Sequence, residues 1–300
     1  MKAIVQTLSH AVPAEKSWVA LLADLFKARL TFLVLVTTLV GFYMGVSRPV
    51  DYALMFHAMM GTALLASGAA ALNEWLERAH DARMRRTQDR PLPSRRMQPG
   101  TVLAIGTIIA CVGLAELYFL VNSVTALLGS LTIFIYLFVY TPLKRVTWLN
   151  TVVGAIPGGL PPLMGWTAAR GEISLEGLSL LAILGFWQVP HFMAIAWMYR
   201  EDYARAGFQM LSVVDTDGRR TGRQSVSHTL ALIAVSLLPF LLGMAGKWYL
   251  IGALALGVAF LWLAVQFARE LTLTRARKLF FASIAYLPLL LVLMVLDKLN

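Results

Sequence analysis

The chain has 300 residues, of which 58% are hydrophobic and 14% charged, and its mean hydropathy is +0.69. Soluble domains carry about 25% charged residues, so composition excludes one and predicts an integral membrane protein. The net charge of +10 would point to nucleic acid in a soluble protein, but here it reads as inside-facing anchoring charge, with no nucleic-acid partner. A single cysteine, Cys111, excludes an internal disulfide, a thiolate zinc site and a c-type haem attachment.

Residues 1–24 begin "MKAIVQTLSHAVPAEKSW". They lack the apolar core and cleavage site of a secretory signal and read as a loosely ordered cytoplasmic tail. One transmembrane unit is expected over 25–300. A spanning helix needs about 20 mostly apolar residues. Nine segments qualify: 30–47, 52–73, 101–121, 123–141, 151–169, 178–199, 228–246, 248–268 and 279–297. The expected fold class is therefore an all-α integral membrane protein, a bundle of nine transmembrane helices.

Basic residues set the orientation. With the N-terminus inside, 22 of the 26 Lys and Arg fall on inside segments and only Arg48, Arg170, Lys247 and Lys298 outside. Spans 2, 4 and 6 then end on the cytoplasmic face in three polar clusters: "NEWLERAHD", "YTPLKRVTWLN" and "YREDYARAGFQML".

If the second span stays helical through its polar end, Asn73, Glu77 and Asp81 share one face, because each four-residue step advances only about 40°. Hard oxygens on one face suit Mg²⁺, which is usually held jointly with substrate phosphates. The alternative is a solvated face neutralised by Glu74–Arg78 and Glu77–Arg78 pairs. Carboxylates at a helix C-terminus oppose the macrodipole. A bound cation would remove that conflict, and so would a helix continuing past residue 81. Arg86 and Arg90 lie four residues apart just before "PLP", which ends the helix, and could offer forked donors to a diphosphate. The other arginines serve topology or lipid headgroups.

Lys144 and Arg145 end span 4, as a stop-transfer pair or as phosphate contacts. Span 5 opens "GAIPGGLPPLMGW". Gly154 and Gly158 allow close helix packing, and the prolines predict a kinked or unwound start. Span 6 carries Gln188 and His191 beside Pro190. A histidine there is either a site residue or a core group bonded to a neighbouring helix. Asp202 follows in "EDY". Walker A and HExxH motifs are absent, and Glu116 is the one midspan acid, which argues against a proton-coupled transporter.

The stretch "NEWLERAHDARMRRTQDRPLP" resembles the first acidic motif of the UbiA-type intramembrane prenyltransferases. Supporting it, in order along the chain, are "DLFKARLTFLVLVTTLVGF" before that stretch and "YTPLKRVTWLNTVVGAIPGGLPPLMGW", "FWQVPHFMAIAWMYREDYARAGFQML" and "SIAYLPLLL" after it, so the resemblance covers about residues 24–292. The "WQVPHF" and "EDYARAG" pairing is similar to the branch that farnesylates protohaem IX to haem O. The family usually has Asp at position 77 and often another at 79, where this chain has Glu77 and Ala79; it has Pro at 28 and 212, where this chain has Ala28 and Ser212. Ala79 thus removes one potential ligand.

The resemblance implies a central cavity near the cytoplasmic face of a bacterial inner membrane. It implies farnesyl diphosphate and haem b (protohaem IX) as substrates, with Mg²⁺ held by Asn73, Glu77, Asp81 and Asp202. Arg86, Arg90, Lys144, Arg145 and Tyr203 would contact the diphosphate. Asn73, Glu77, Asp81, Asp202 and His191 form the implied catalytic set, with His191 ligating haem iron, orienting a propionate or positioning water. Membrane lipids and a transient contact with a downstream haem-modifying enzyme or oxidase assembly are family-level expectations. Rival expectations are a prenyltransferase for another aromatic or tetrapyrrole acceptor, a small-molecule transporter and a structural subunit of a respiratory complex.

Overall fold

A computed structural model describes residues 16–46 and 49–299, which are almost wholly helical. The helices, in chain order, are α1 (Trp18–Leu25), α2 (Ala28–Gly45), α3 (Tyr52–Asp81), α4 (Pro99–Leu120) and α5 (Ser123–Phe134). A π-helical segment, Ile135–Tyr140, carries α5 into the short α6 (Thr141–Leu143). Then come α7 (Asn150–Arg170), α8 (Leu175–Met198), α9 (Arg200–Ala206), α10 (Leu211–Val214) and α11 (Arg219–Ser236). The chain closes with α12 (Leu238–Leu241), α13 (Lys247–Arg269) and α14 (Leu273–Leu296).

Among the described residues, eight helical stretches are long and apolar enough to cross a membrane. This is a multi-pass integral membrane protein. The remaining expected span, 151–169, coincides with α7, whose length is sufficient but whose Gly, Pro and Asn content lowers its hydropathy. It is an inner helix: 15 of its 21 residues are buried by neighbours.

Close backbone approach holds the bundle. A Cβ at Gly68 of α3 would stand 2.7 Å from both the Ala110 nitrogen and the Gly106 oxygen of α4. One at Gly41 of α2 would overlap the Pro162 carbonyl oxygen of α7. Small residues at such crossings let dispersion contacts replace the hydrophobic drive that lipid cannot supply.

Several sequence expectations change. Residues 1–15 of the expected tail lie outside the described residues, but 18–25 form α1. Ser17 caps it, accepting from Ala20 N–H at 3.3 Å, and Leu21 and Leu25 are buried. Leu25 packs with Ala71, Leu92, Met97 and Val102, so hydrophobic burial orders this segment. The proline-rich start of α7 is neither unwound nor broken; Pro157, Pro161 and Pro162 sit inside a continuous helix clamped by α2 and α8. The seventh span begins at Arg219, not 228. There the buried Asp215 carboxylate accepts from the Thr221 N–H at 2.7 Å and its hydroxyl at 2.8 Å, fixing the first turn. Glu116 pairs with His57 Nδ1 at 2.9 Å between α3 and α4, which accounts for the midspan acid.

The connections after α3, α5–α6, α8 and α13 lie at one end of the bundle. That end carries the three polar clusters and most of the arginines.

Candidate active site

Helix α3 runs unbroken through its polar end to Asp81, and this places the acidic face. Asn73, Glu77 and Asp81 are 1%, 4% and 1% exposed, so they point into the protein. Arg78 turns away, donating to the Trp75 carbonyl at 2.6 Å and resting over the Trp75 ring. The Glu74–Arg78 and Glu77–Arg78 pairs of the solvated-face alternative do not form among the described residues. Ala79 is exposed. A carboxylate at that position would project away from the acidic face, so Ala79 removes no ligand from it.

Each buried acceptor has a cation. Lys144 Nζ donates to Glu77 Oε1 at 2.8 Å and Oε2 at 3.0 Å. Arg90 Nη1 donates to Asp81 Oδ2 at 2.6 Å. Lys27 Nζ donates to Asn73 Oδ1 at 2.9 Å, while Asn73 Nδ2 donates to Glu77 Oε2 at 3.2 Å and Thr141 Oγ1 at 3.1 Å. The conflict between these acids and the helix C-terminus is thus relieved by three side chains brought in from other segments. The helix does not continue past Asp81. Burial works against the charge on Lys144, but Glu77 more than offsets it and holds the ammonium above its ordinary range. Burial likewise opposes Arg90, and Asp81 outweighs it, so that guanidinium is also raised. Lys27 is the opposite case. Burial, reinforced by nearby Arg90, pushes its ammonium down to about 8.

Arg90 and Arg86 are not on a helix, as their four-residue spacing had implied; residues 82–97 form a chain of turns folded back over the end of α3. Thr87 Oγ1 donates to the Asp81 carbonyl at 2.9 Å, and Leu92 N–H donates to Glu74 Oε1 at 2.9 Å. Glu74 is fully buried, so this side chain ties the loop to the helix and helps bring Arg90 onto Asp81. Arg86 donates to Tyr203 Oη at 3.0 Å and lies 5.0 Å and 5.4 Å above the Tyr199 and Tyr203 rings. It joins the loop to α9.

Helix α5 delivers Lys144 through its π-helical segment, an irregularity that often marks functional sites. Tyr136 and Tyr140 stack there with centroids 5.8 Å apart, and Lys144 Nζ is 4.5 Å from the Tyr140 centroid. Arg145 is exposed and makes no ion pair among the described residues.

The remaining expected residues stand apart. Asp202 of α9 is paired with Arg205, and no hydrogen bond or salt bridge among the described residues links it to Asn73, Glu77 or Asp81. Glu77, Asp81 and Asp202 are not gathered into one three-carboxylate cluster; each is neutralised by its own cation, and like charges gain nothing by converging. His191 Nδ1 meets Ser283 Oγ of α14 at 2.7 Å, and its ring stacks on Trp187 and Phe280 at 5.0 Å and 5.1 Å. That is the bonded-core arrangement, with no contact to the acidic face among the described residues. Gln188 Nε2 donates to the Ala155 carbonyl of α7 at 3.3 Å.

Sequence reading missed Lys27, Glu74, Tyr136 and Thr141. In the sequence Lys27 reads only as one of the inside-facing basic residues. Its φ of 48° at the N-cap of α2, a left-handed conformation rare for a side-chain-bearing residue, carries no sequence signature.

One observation bears on a metal. Asp81 Oδ1 is buried without a hydrogen-bond partner among the described residues, beside an amide and a second carboxylate on the same face. An unsatisfied hard oxygen in such a donor set fits a hard divalent cation.

Fold and site together define an all-helical membrane protein with a cluster of paired acids and cations at one end of the bundle. The chain belongs to the UbiA prenyltransferase family, whose sequence pattern matches residues 34–286. It is 50% identical over 284 residues to the protoheme IX farnesyltransferase of Solibacter usitatus, covering 92% of this chain and 97% of that one. A digeranylgeranylglyceryl phosphate synthase structure superposes with a TM-score of 0.79 at 14% identity, covering 93% and 98% of the two chains. A UbiA homologue from Archaeoglobus fulgidus bound to GPP and Mg²⁺ gives 0.66 at 13% identity, covering 91% and 99%. At these identities the structures establish the shared fold.

Proposed function

We propose that this protein transfers the farnesyl group of farnesyl diphosphate to a vinyl group of protohaem IX, giving haem O and diphosphate. The observation that carries the reading is the cluster of half-buried Lys27, Arg90 and Lys144 around the buried face Asn73–Glu77–Asp81. The 50% identity to a protoheme IX farnesyltransferase supports the choice of acceptor.

The bond from the farnesyl C1 to the diphosphate oxygen breaks, the vinyl terminal carbon bonds to C1, and water adds to the resulting porphyrin-stabilised cation with loss of a proton. The face Asn73–Glu77–Asp81 would hold Mg²⁺, with Asp202 joining it only once released from Arg205, and the bound ion would neutralise charge on the diphosphate. Lys144 and Arg90 stay protonated and present donors where negative charge develops on the departing diphosphate. Arg86 and Tyr203 close the loop over that end, and Arg145 lies at its outer margin. Tyr136 and Tyr140 wall the reacting end and limit water near the allylic cation. Both acids keep cationic partners, so neither is left as an uncompensated buried charge before substrate arrives. His191 acts on the acceptor, away from the diphosphate. The excess of Lys and Arg at the active-site end supports a cytoplasmic placement of that end in a bacterial inner membrane.

The test offers membranes containing this protein farnesyl diphosphate, Mg²⁺ and either haem b or 4-hydroxybenzoate, with products weighed by mass spectrometry. Haem O from haem b, and no prenylated benzoate, is the expected result. Prenylated benzoate without haem O would overturn the assignment.

A further inference from the structure

A cavity of about 620 Å³ opens at the polar end of the bundle beside the site just described. Four arginines line it, Arg85, Arg86, Arg200 and Arg205, against only two acids, Glu201 and Asp202. Two of the four are committed: Arg205 to Asp202 and Arg86 to Tyr203. Arg85 and Arg200 make no ion pair and donate no side-chain hydrogen bond among the described residues, and Arg200 rests over the Trp197 ring at 4.8 Å. The apolar part of the lining is Trp197, Met198, Leu271 and Leu273. Trp197 is anchored there by its indole N–H, which donates to the Leu271 carbonyl at 2.9 Å.

Such a cavity suits a flat, largely apolar molecule with two acidic groups on one edge. Its volume lies within the usual range of ~300–1,000 Å³ for ligand sites. Guanidiniums without acid partners are the side chains best shaped to take carboxylates. Protohaem IX has this form: an apolar ring system, two propionates along one edge and its vinyl groups toward the opposite one. We infer that Arg85 and Arg200 bind the two propionates of the haem acceptor, with Trp197 and Leu271 against the macrocycle. This inference rests on the function proposed above and extends it to the acceptor. Held by its acidic edge at the mouth of the cavity, the macrocycle has its vinyl edge inward, and Arg86 and Asp202 are shared between this cavity and the diphosphate end. In the sequence both Arg85 and Arg200 read only as topology charges in basic segments.

The test compares kcat/KM for haem b with that for its dimethyl ester, in which both propionates are masked, using detergent-purified protein, farnesyl diphosphate and Mg²⁺. The wild-type protein is expected to favour the diacid about 5- to 10-fold, the range for guanidinium–carboxylate contacts that stay partly hydrated. The double variant Arg85→Ala/Arg200→Ala should bring that ratio close to one by lowering the diacid value alone, and Arg85→Lys/Arg200→Lys should recover part of it. A loss of packing would lower both acceptors together and leave the ratio unmoved. An unmoved ratio in the alanine variant, or a wild-type protein indifferent to esterification, overturns the inference while leaving haem O formation intact. Absence of haem O from either acceptor overturns both this inference and the function on which it rests.

Discussion

Two polar features of the bundle, the acidic face of α3 and His191 of α8, look equally functional in the sequence and are satisfied in opposite ways. The acidic face is surrounded by ammonium and guanidinium groups from three other segments, and one of its carboxylate oxygens, Asp81 Oδ1, still lacks a hydrogen-bond partner among the described residues. His191 is held by a neutral hydroxyl and two aromatic rings. The first arrangement concentrates charge, with three cations around two carboxylates and an amide, which the proposed diphosphate would reorganise. The second fixes a ring in place without any net charge around it. Burial alone therefore does not distinguish a charge-handling site from a positioned core group; the partners do.

The largest effect expected on this comparison is at Asp81. Alanine there should lower kcat by ~10²–10³, the scale for removing an electrostatic group from a transition-state site, with turnover read as haem O formed. Next comes the Glu77–Lys144 pair. Lys144→Ala leaves a buried carboxylate uncompensated and should cost about 3 kcal/mol of stability, read as a drop in melting temperature in detergent. The double variant Glu77→Gln/Lys144→Met should regain most of that stability but not the activity, which separates folding from chemistry.

Arg86→Ala should raise the KM for farnesyl diphosphate about fivefold with little change in melting temperature, since Arg86 is an exposed contact between two segments. His191→Ala should change the KM for haem and leave the KM for farnesyl diphosphate as it was. An equal rise in both would place His191 with the acidic face and erase the distinction between the two regions. Arg145 is exposed and makes no ion pair among the described residues, so Arg145→Ala should change turnover less than twofold.

Much of this was legible in the sequence because its signals are periodic or compositional. Apolar runs located the helices, and the four-residue spacing put Asn73, Glu77 and Asp81 on one buried face. The polar ends of spans 2, 4 and 6 do gather at one end of the bundle. What could not be read depends on tertiary contact. Nothing local says that residues 18–25 will find Ala71 and Leu92 to pack on, or that Lys27 will take a left-handed conformation and reach Asn73. Ala79 looked like a lost ligand because sequence comparison counts positions, whereas the helix shows that position facing outward. The proline-rich opening of α7 looked breakable because local rules cannot see α2 and α8 clamping it. Arg86 and Arg90 looked like one helical face, yet the chain leaves the helix at Asp81 and the two arginines diverge, one to α9 and one back to Asp81.

The central claim is that the acidic face of α3 drives departure of diphosphate and that the farnesyl group ends on haem. Single-turnover measurement of both products, diphosphate and haem O, in wild-type protein and in Asp81→Asn tests it most directly. The account predicts one diphosphate per haem O in the wild type and loss of both, in step, in the variant. Undiminished haem O in Asp81→Asn would contradict it.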